Sequence, residues 1–230
     1  MQPVLQATVN DPSGDVNYEY VVFGNNQNTT GLPAFNNCGS YGYNFTYFQH
    51  ASGSIPLYVW FQDNDPFSHF TAPTQCGTCN MLTMDDWLPN GETTYWFGYN
   101  EAYDIYSPTG NTAFTTGVVR GYTQAQVKWI INWALSNYSL DATRVYSSGT
   151  SHNGFGAFLS SMVNPQMFAA TWGTVAPPMV KALPGSLWEK ILAASGSNLP
   201  TDILNPNTGL PINIWDVFDC RDMFRINSSI

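Results

Sequence analysis

The sequence predicts an α/β fold, a mostly parallel sheet flanked by helices, with a β-rich N-terminal portion. Three observations carry this reading. The run Leu57-Tyr58-Val59-Trp60-Phe61 is continuously apolar and is followed by polar Gln62-Asp63-Asn64-Asp65-Pro66, the texture of a strand covered on both faces. Further on, Val127, Ile130, Ile131, Ala134 and Leu135 recur at helical spacing and predict a helix over 123–137, with Thr123 as its cap. A turn at Asp141-Ala142 then leads into a strand, Arg144 to Ser148, a glycine-flanked turn and a second helix over about 152–162. Helix, strand, sharp turn and helix in that order is α/β organisation.

The remaining elements are less regular. Residues 1–50 form a β-rich segment, with runs such as Tyr18 to Phe23 and Phe45 to Phe48 broken by Asn, Gly and Pro. They read equally as outer antiparallel strands of the main sheet or as a small β-appendage. Residues 51–230 make up the α/β domain. Within it Met81 to Met84 is a short candidate strand, and Trp87 to Tyr106 is a long irregular aromatic stretch.

Composition narrows the function classes. The chain has 7 Lys+Arg against 16 Asp+Glu, a formal charge of −9, which argues against nucleic acid or an anionic membrane surface as partner. Charged residues are only 10% of the chain, so solubility rests on Asn, Gln, Ser, Thr and Gly, as in many extracellular proteins. Hydrophobic residues at 43% suffice for a core, and no stretch is long and apolar enough to span a bilayer. Met1 is followed by polar sequence, so an export signal is expected to lie outside this sequence. Sequons stand at Asn28, Asn44, Asn137 and Asn227.

There are four cysteines, Cys38, Cys76, Cys79 and Cys220. The Cys76-Gly-Thr-Cys79 spacing suits a redox pair, half a zinc site or a small disulfide loop. No second pair completes a zinc site, and the Pro- and Thr-rich setting favours structural disulfides in an oxidising compartment. Asp63 and Asp65 form at most a weak calcium site. The reading therefore names no cofactor and no metal, and places the protein outside the cell.

The chemistry concentrates at Ser147-Ser148-Gly149-Thr150-Ser151-His152-Asn153-Gly154-Phe155-Gly156. This puts a serine at the apex of a tight strand-to-helix turn, with the N–H of His152 directed toward a developing oxyanion and a helix N-terminus behind it. A plain Gly/Ser-rich turn without chemistry is the alternative. The segment resembles the nucleophile elbow of the α/β-hydrolase superfamily, and within it the secreted esterases of the polyhydroxyalkanoate depolymerase and feruloyl esterase type. The resemblance covers roughly residues 55–180. Asn153 stands where the family places its second elbow glycine; Asn tolerates left-handed backbone, which keeps the turn feasible.

The resemblance implies an α/β-hydrolase-like sheet, Ser151 as nucleophile, and a second oxyanion N–H from Gln62 or Asp63 after the apolar strand. It also implies an acid and then a histidine downstream. Downstream acids are present, of which Asp219 and Asp222 are candidates if the Ile212 to Phe218 run is the acid-bearing strand, but every histidine (His50, His69, His152) lies elsewhere. The expectation is that the chain is a fragment ending before its triad is complete. The function expected is a secreted serine hydrolase of carboxylic esters, polymeric or glycan-linked, with a peptidase as a further option. The alternative is a non-catalytic extracellular binding or structural module on the same scaffold, with a partner chain left open. The eight tryptophans, thirteen tyrosines and fourteen phenylalanines fit ordinary packing better than a substrate groove, though the Trp87–Tyr106 stretch suits either.

Overall fold

The computed structural model describes residues 2–10, 14–62, 77–107, 114–176, 194–195 and 199–212. Seven strands form one sheet in the order β1-β2-β3-β5-β4-β8-β9. β1 (Val4–Asn10), β2 (Val16–Gly24) and β3 (Tyr41–Gln49) make an antiparallel edge, and β3 pairs antiparallel with β5 (Asn80–Met84). β4 (Ile55–Phe61) runs parallel to both β5 and β8 (Leu140–Thr150), and β9 (Ala170–Thr174) runs parallel to β8. A separate two-stranded ribbon joins β6 (Tyr99–Asn100) to β7 (Val119–Arg120).

The two sheet faces differ as the strand period of two requires. Leu57, Val59, Phe61, Leu82, Met84 and Val145 pack against Val127, Ile130, Ile131 and Ala134 of α1 (Tyr122–Asn137). Each such buried aliphatic contributes about 1.5–3 kcal/mol of transfer free energy, so α1 is held by its apolar stripe. Tyr58, Met81 and Phe48 face the other way, with Trp60 and Tyr146 beside them. α1 also reaches the antiparallel edge. The Trp133 ring meets Tyr20 and Phe45 edge-on at 4.9 and 5.4 Å, and Tyr138 stacks on Tyr47 at 3.7 Å. The N-terminal strands are thus outer strands of the main sheet.

Several local expectations change. α1 begins at Tyr122 with Gly121 at its N-cap, so no side chain caps it. The Thr123 hydroxyl instead turns inward to Asp86 and Thr94. β8 starts at Leu140, ahead of the expected Arg144. Its register slips between Ile55↔Leu140 and Leu57↔Val145, and the Asp141 turn survives as a bulge in which its carboxylate accepts from the Thr143 N–H and hydroxyl and from Arg144. β9 was not anticipated; Ala-Thr-Trp-Gly-Thr is short, half exposed and holds a glycine.

Candidate active site

β4 and β8 are neighbours, but the chain leaves them in opposite directions, from β4 to β5 on one side and from β8 to β9 on the other. The carboxyl ends of β4 and β8 therefore flank a topological switch point, where open α/β sheets leave a crevice. Phe61 at the end of β4 lies opposite Gly149 of β8, on strands about 5 Å apart, so Gln62 falls level with Thr150, one residue before Ser151.

Ser151 is exposed and sits between β8 and α2 (His152–Val163) with φ 57° and ψ −128°. A non-glycine residue there is held against about 1–3 kcal/mol of strain. Its surroundings supply the restraint. The Ser151 N–H donates to Thr174 O at 2.8 Å, tying the turn to β9, and Ser151 O accepts from the Phe155 N–H at 3.2 Å. A Cβ on Gly149 would fall onto the backbone of Asn153, and one on Gly154 would lie 2.7 Å from the Ala176 Cβ and 3.0 Å from Gly149 O. Glycine is required at both places by close backbone approach.

Asn153 is an ordinary helical residue; the left-handed residue of the turn is Ser151 itself. The Asn153 side chain is 2% exposed, and its Oδ1 accepts from Trp96 Nε1 at 2.9 Å. His152 occupies the first position of α2, where helix geometry directs the backbone N–H out of the helix end. Its half-buried ring lies 5.2 Å from the Tyr95 ring. Gln62 is half-buried, and its Oε1 has no hydrogen-bond partner among the described residues.

Ser151, His152 and Gln62 are thus brought to one crevice. Asp63, Asp65, His69, Asp219 and Asp222 lie outside the described residues. His50 is at the other end of the sheet. Its N–H donates to Asn80 Oδ1, Asn80 pairs with Leu57, and its ring bonds Asp15 at 2.7 Å. The four strand steps from Leu57 to Phe61 put it about 13 Å from the elbow end. Among the described residues no group of three or more His, Cys, Asp or Glu could hold a metal ion, and no helix is long and apolar enough to cross a membrane. Cys79 is disulfide-bonded, whereas Cys38 is free and exposed.

Sequence reasoning missed what lies beneath the turn. Asp86, 4% exposed, accepts from the Thr94 N–H and hydroxyl at 2.8 and 2.5 Å and from the Trp96 N–H at 2.7 Å. Tyr95 and Trp96 both hold positive φ, 53° and 63°. The available signal was an acidic pair, Asp85-Asp86, ending a strand in a chain so poor in charge.

Strand order, crevice and strained serine turn together define an α/β-hydrolase fold. No protein-family profile matches the sequence, nor does any curated protein. Among solved structures the chain is similar to an S-formylglutathione hydrolase from Agrobacterium tumefaciens, at TM-score 0.55 and 12% identity over 86% of this chain and 70% of that one. It is also similar to a CE15 glucuronoyl esterase from Teredinibacter turnerae T7901, at TM-score 0.51 and 12% identity over 84% of this chain and 52% of that one. The chain therefore spans about half the length of the glucuronoyl esterase.

Proposed function

We propose that the protein is a secreted serine hydrolase that cleaves carboxylic esters, with Ser151 as nucleophile. One observation carries the reading. A serine, exposed and at φ 57° and ψ −128°, stands where β8 meets α2 beside the switch point. Ser151 Oγ would bond the ester carbonyl carbon while its proton passes to a general base that the described residues do not supply. The His152 N–H and that of Gln62 or Asp63 would hold the oxyanion. The alcohol then leaves with a proton, and water releases the acid from the acyl-enzyme. Asp219 and Asp222 remain the candidate triad acids. The two similar structures are an S-formylglutathione hydrolase and a glucuronoyl esterase, which supports an ester substrate and, more weakly, a glycan-linked one. The disulfide at Cys79, the sparse charge, and the exposure of Asn28, Asn44 and Asn137 in their sequons support secretion.

The test is intact-mass analysis of the full-length protein after treatment with a fluorophosphonate. One adduct in the wild type, absent in Ser151→Ala, is the expected result. An unlabelled wild type would instead make the fold a non-catalytic scaffold, and attention would pass to what its surface binds.

A further inference from the structure

The Trp96 side chain and backbone are wholly buried, yet every polar group they carry is taken by a buried side chain from a different element. Its N–H donates to Asp86, just beyond β5, at 2.7 Å. Its carbonyl accepts from Gln124 of α1 at 2.6 Å. Its indole Nε1–H donates to Asn153 of α2 at 2.9 Å. The Gln124 amide continues to Ser160 of α2 at 3.0 Å, so the residue links α1 with both ends of the second helix's buried face. The indole itself sits on Gly156, where any Cβ would fall into the ring, and against Phe61 at 4.7 Å on the side of β4.

These contacts are concentrated on the first turn and a half of α2. The Tyr95–Trp96 strap touches His152 through the Tyr95 ring, Asn153 through the indole N–H, and Gly156 through the indole face. Two consecutive left-handed residues, Tyr95 at φ 53° and Trp96 at φ 63°, make that approach, a conformation non-glycine residues hold only under restraint. With that backbone the Trp96 N–H reaches Asp86 while its indole N–H reaches Asn153, two places after the serine.

We infer that Asn153 is a positioning residue, which with Trp96 clamps the first turn of α2 and so fixes the Ser151 hydroxyl and the His152 N–H relative to one another. The elbow glycine that Asn153 replaces could make no such bond. The inference rests on the reading of Ser151 as nucleophile. It predicts that breaking the bond slows acylation while leaving substrate binding unchanged, because the N–H meets the oxygen only as charge develops on it.

The experiment compares wild type, Asn153→Leu, Trp96→Phe and the double variant in the full-length protein, with a p-nitrophenyl ester and with a fluorophosphonate. Each single variant is expected to lower kcat and the labelling rate by roughly ten- to hundredfold at unchanged KM, as small misplacements of catalytic groups do. The double variant should fall no further than the worse single one. Lower thermal midpoints with unchanged kcat and labelling in the folded protein would make the pair merely structural and overturn the inference. A wild type that does not label would overturn the nucleophile reading and the inference with it. Should the variants fail to fold, the wild type still decides: the Trp96 indole proton should be protected from exchange and its resonance should move when Ser151 is phosphonylated. An unmoved resonance would overturn the inference while the adduct upheld the nucleophile.

Discussion

Gly156→Ala sets two physical effects against each other, and the structure decides the sign. Glycine within a helix costs about 1 kcal/mol relative to alanine, so on propensity alone the substitution should stabilise α2. The new methyl group, however, would fall against Cγ and Cδ1 of Trp96 and lie 2.9 Å from its Cβ. That ring has nowhere to go. It is 0% exposed, Phe61 meets it at 4.7 Å from another direction, and its backbone is fixed by Asp86 and Gln124. Overpacking of a closed core typically costs 1–3 kcal/mol, and a clash with an anchored ring belongs at the upper end of that range. The net expectation is a loss of about 1–2 kcal/mol, or roughly 2–8 °C in Tm for a domain of this size. Thermal unfolding followed by far-ultraviolet circular dichroism measures it, with Gly77→Ala as the control, since a Cβ there meets nothing within 4 Å. A Gly156→Ala protein melting at or above the wild type would refute the claim that the indole seat is rigid.

Asp86→Ala should cost about 3 kcal/mol or more in urea titration, because it leaves the Thr94 and Trp96 N–H groups buried without an acceptor at about 1–3 kcal/mol each; a loss under 1 kcal/mol would mean that water replaces the carboxylate. At high pH the buried tyrosines should unfold the protein. Burial pushes Tyr47 up to about 12, and raises Tyr43, Tyr99 and Tyr138 as well. An unfolded tyrosine ionises near 10, so their contribution is intact below about pH 10 and disappears as pH rises through 12. Phenolate absorbance and circular dichroism should change together over that window, and gradual ionisation without unfolding would contradict it. At low pH, hydrogen bonds from the Thr143 hydroxyl and Arg144 hold Asp141 down to about 2 from 3.8. Its support of the β8 bulge should be full above pH 4 and lost as pH falls toward 2; an Asp141→Asn protein with an unchanged acid profile would refute that role.

What could be read from the sequence was what local pattern determines. The apolar run at Leu57, the stripe from Val127 to Leu135 and the glycines around Ser151 each encode their element through nearest neighbours, and β4, α1 and the turn stand where that pattern put them. Two kinds of information were out of reach. Pairing partners were one: nothing in Tyr18–Phe23 says that it lies beside β3 rather than in an appendage, since antiparallel register is set by residues far along the chain. Competition for a side chain was the other. Thr123 has the right place for a cap, but a buried carboxylate thirty-seven positions away offers its hydroxyl a stronger partner than the helix N-terminus does. Asn153 likewise read as a tolerated departure, because its partner Trp96 is fifty-seven positions distant.

Backbone strain and cavity volume point to different places in the molecule. An open cavity of about 590 Å³ lies at the opposite end of the sheet, between α1, the C-terminal end of α2 and Pro206. Its lining has one charged group, Lys128, amid amides, prolines and aliphatics, with no nucleophile and no unusual backbone. The non-glycine residues with positive φ among those described are Tyr95, Trp96, Ser151 and Val175, and all four border the serine turn: Val175 follows Thr174, whose carbonyl takes the Ser151 N–H, while Tyr95 and Trp96 press on α2. Unfavourable conformations persist only where the surroundings over-determine them, and here β9, the indole strap and two obligatory glycines do so around a single hydroxyl. A cavity can arise wherever loops fail to meet. Three strained residues gather around a fourth, the exposed serine itself, which makes the crevice at the β4–β8 switch point, rather than that cavity, the place to test first for bound substrate.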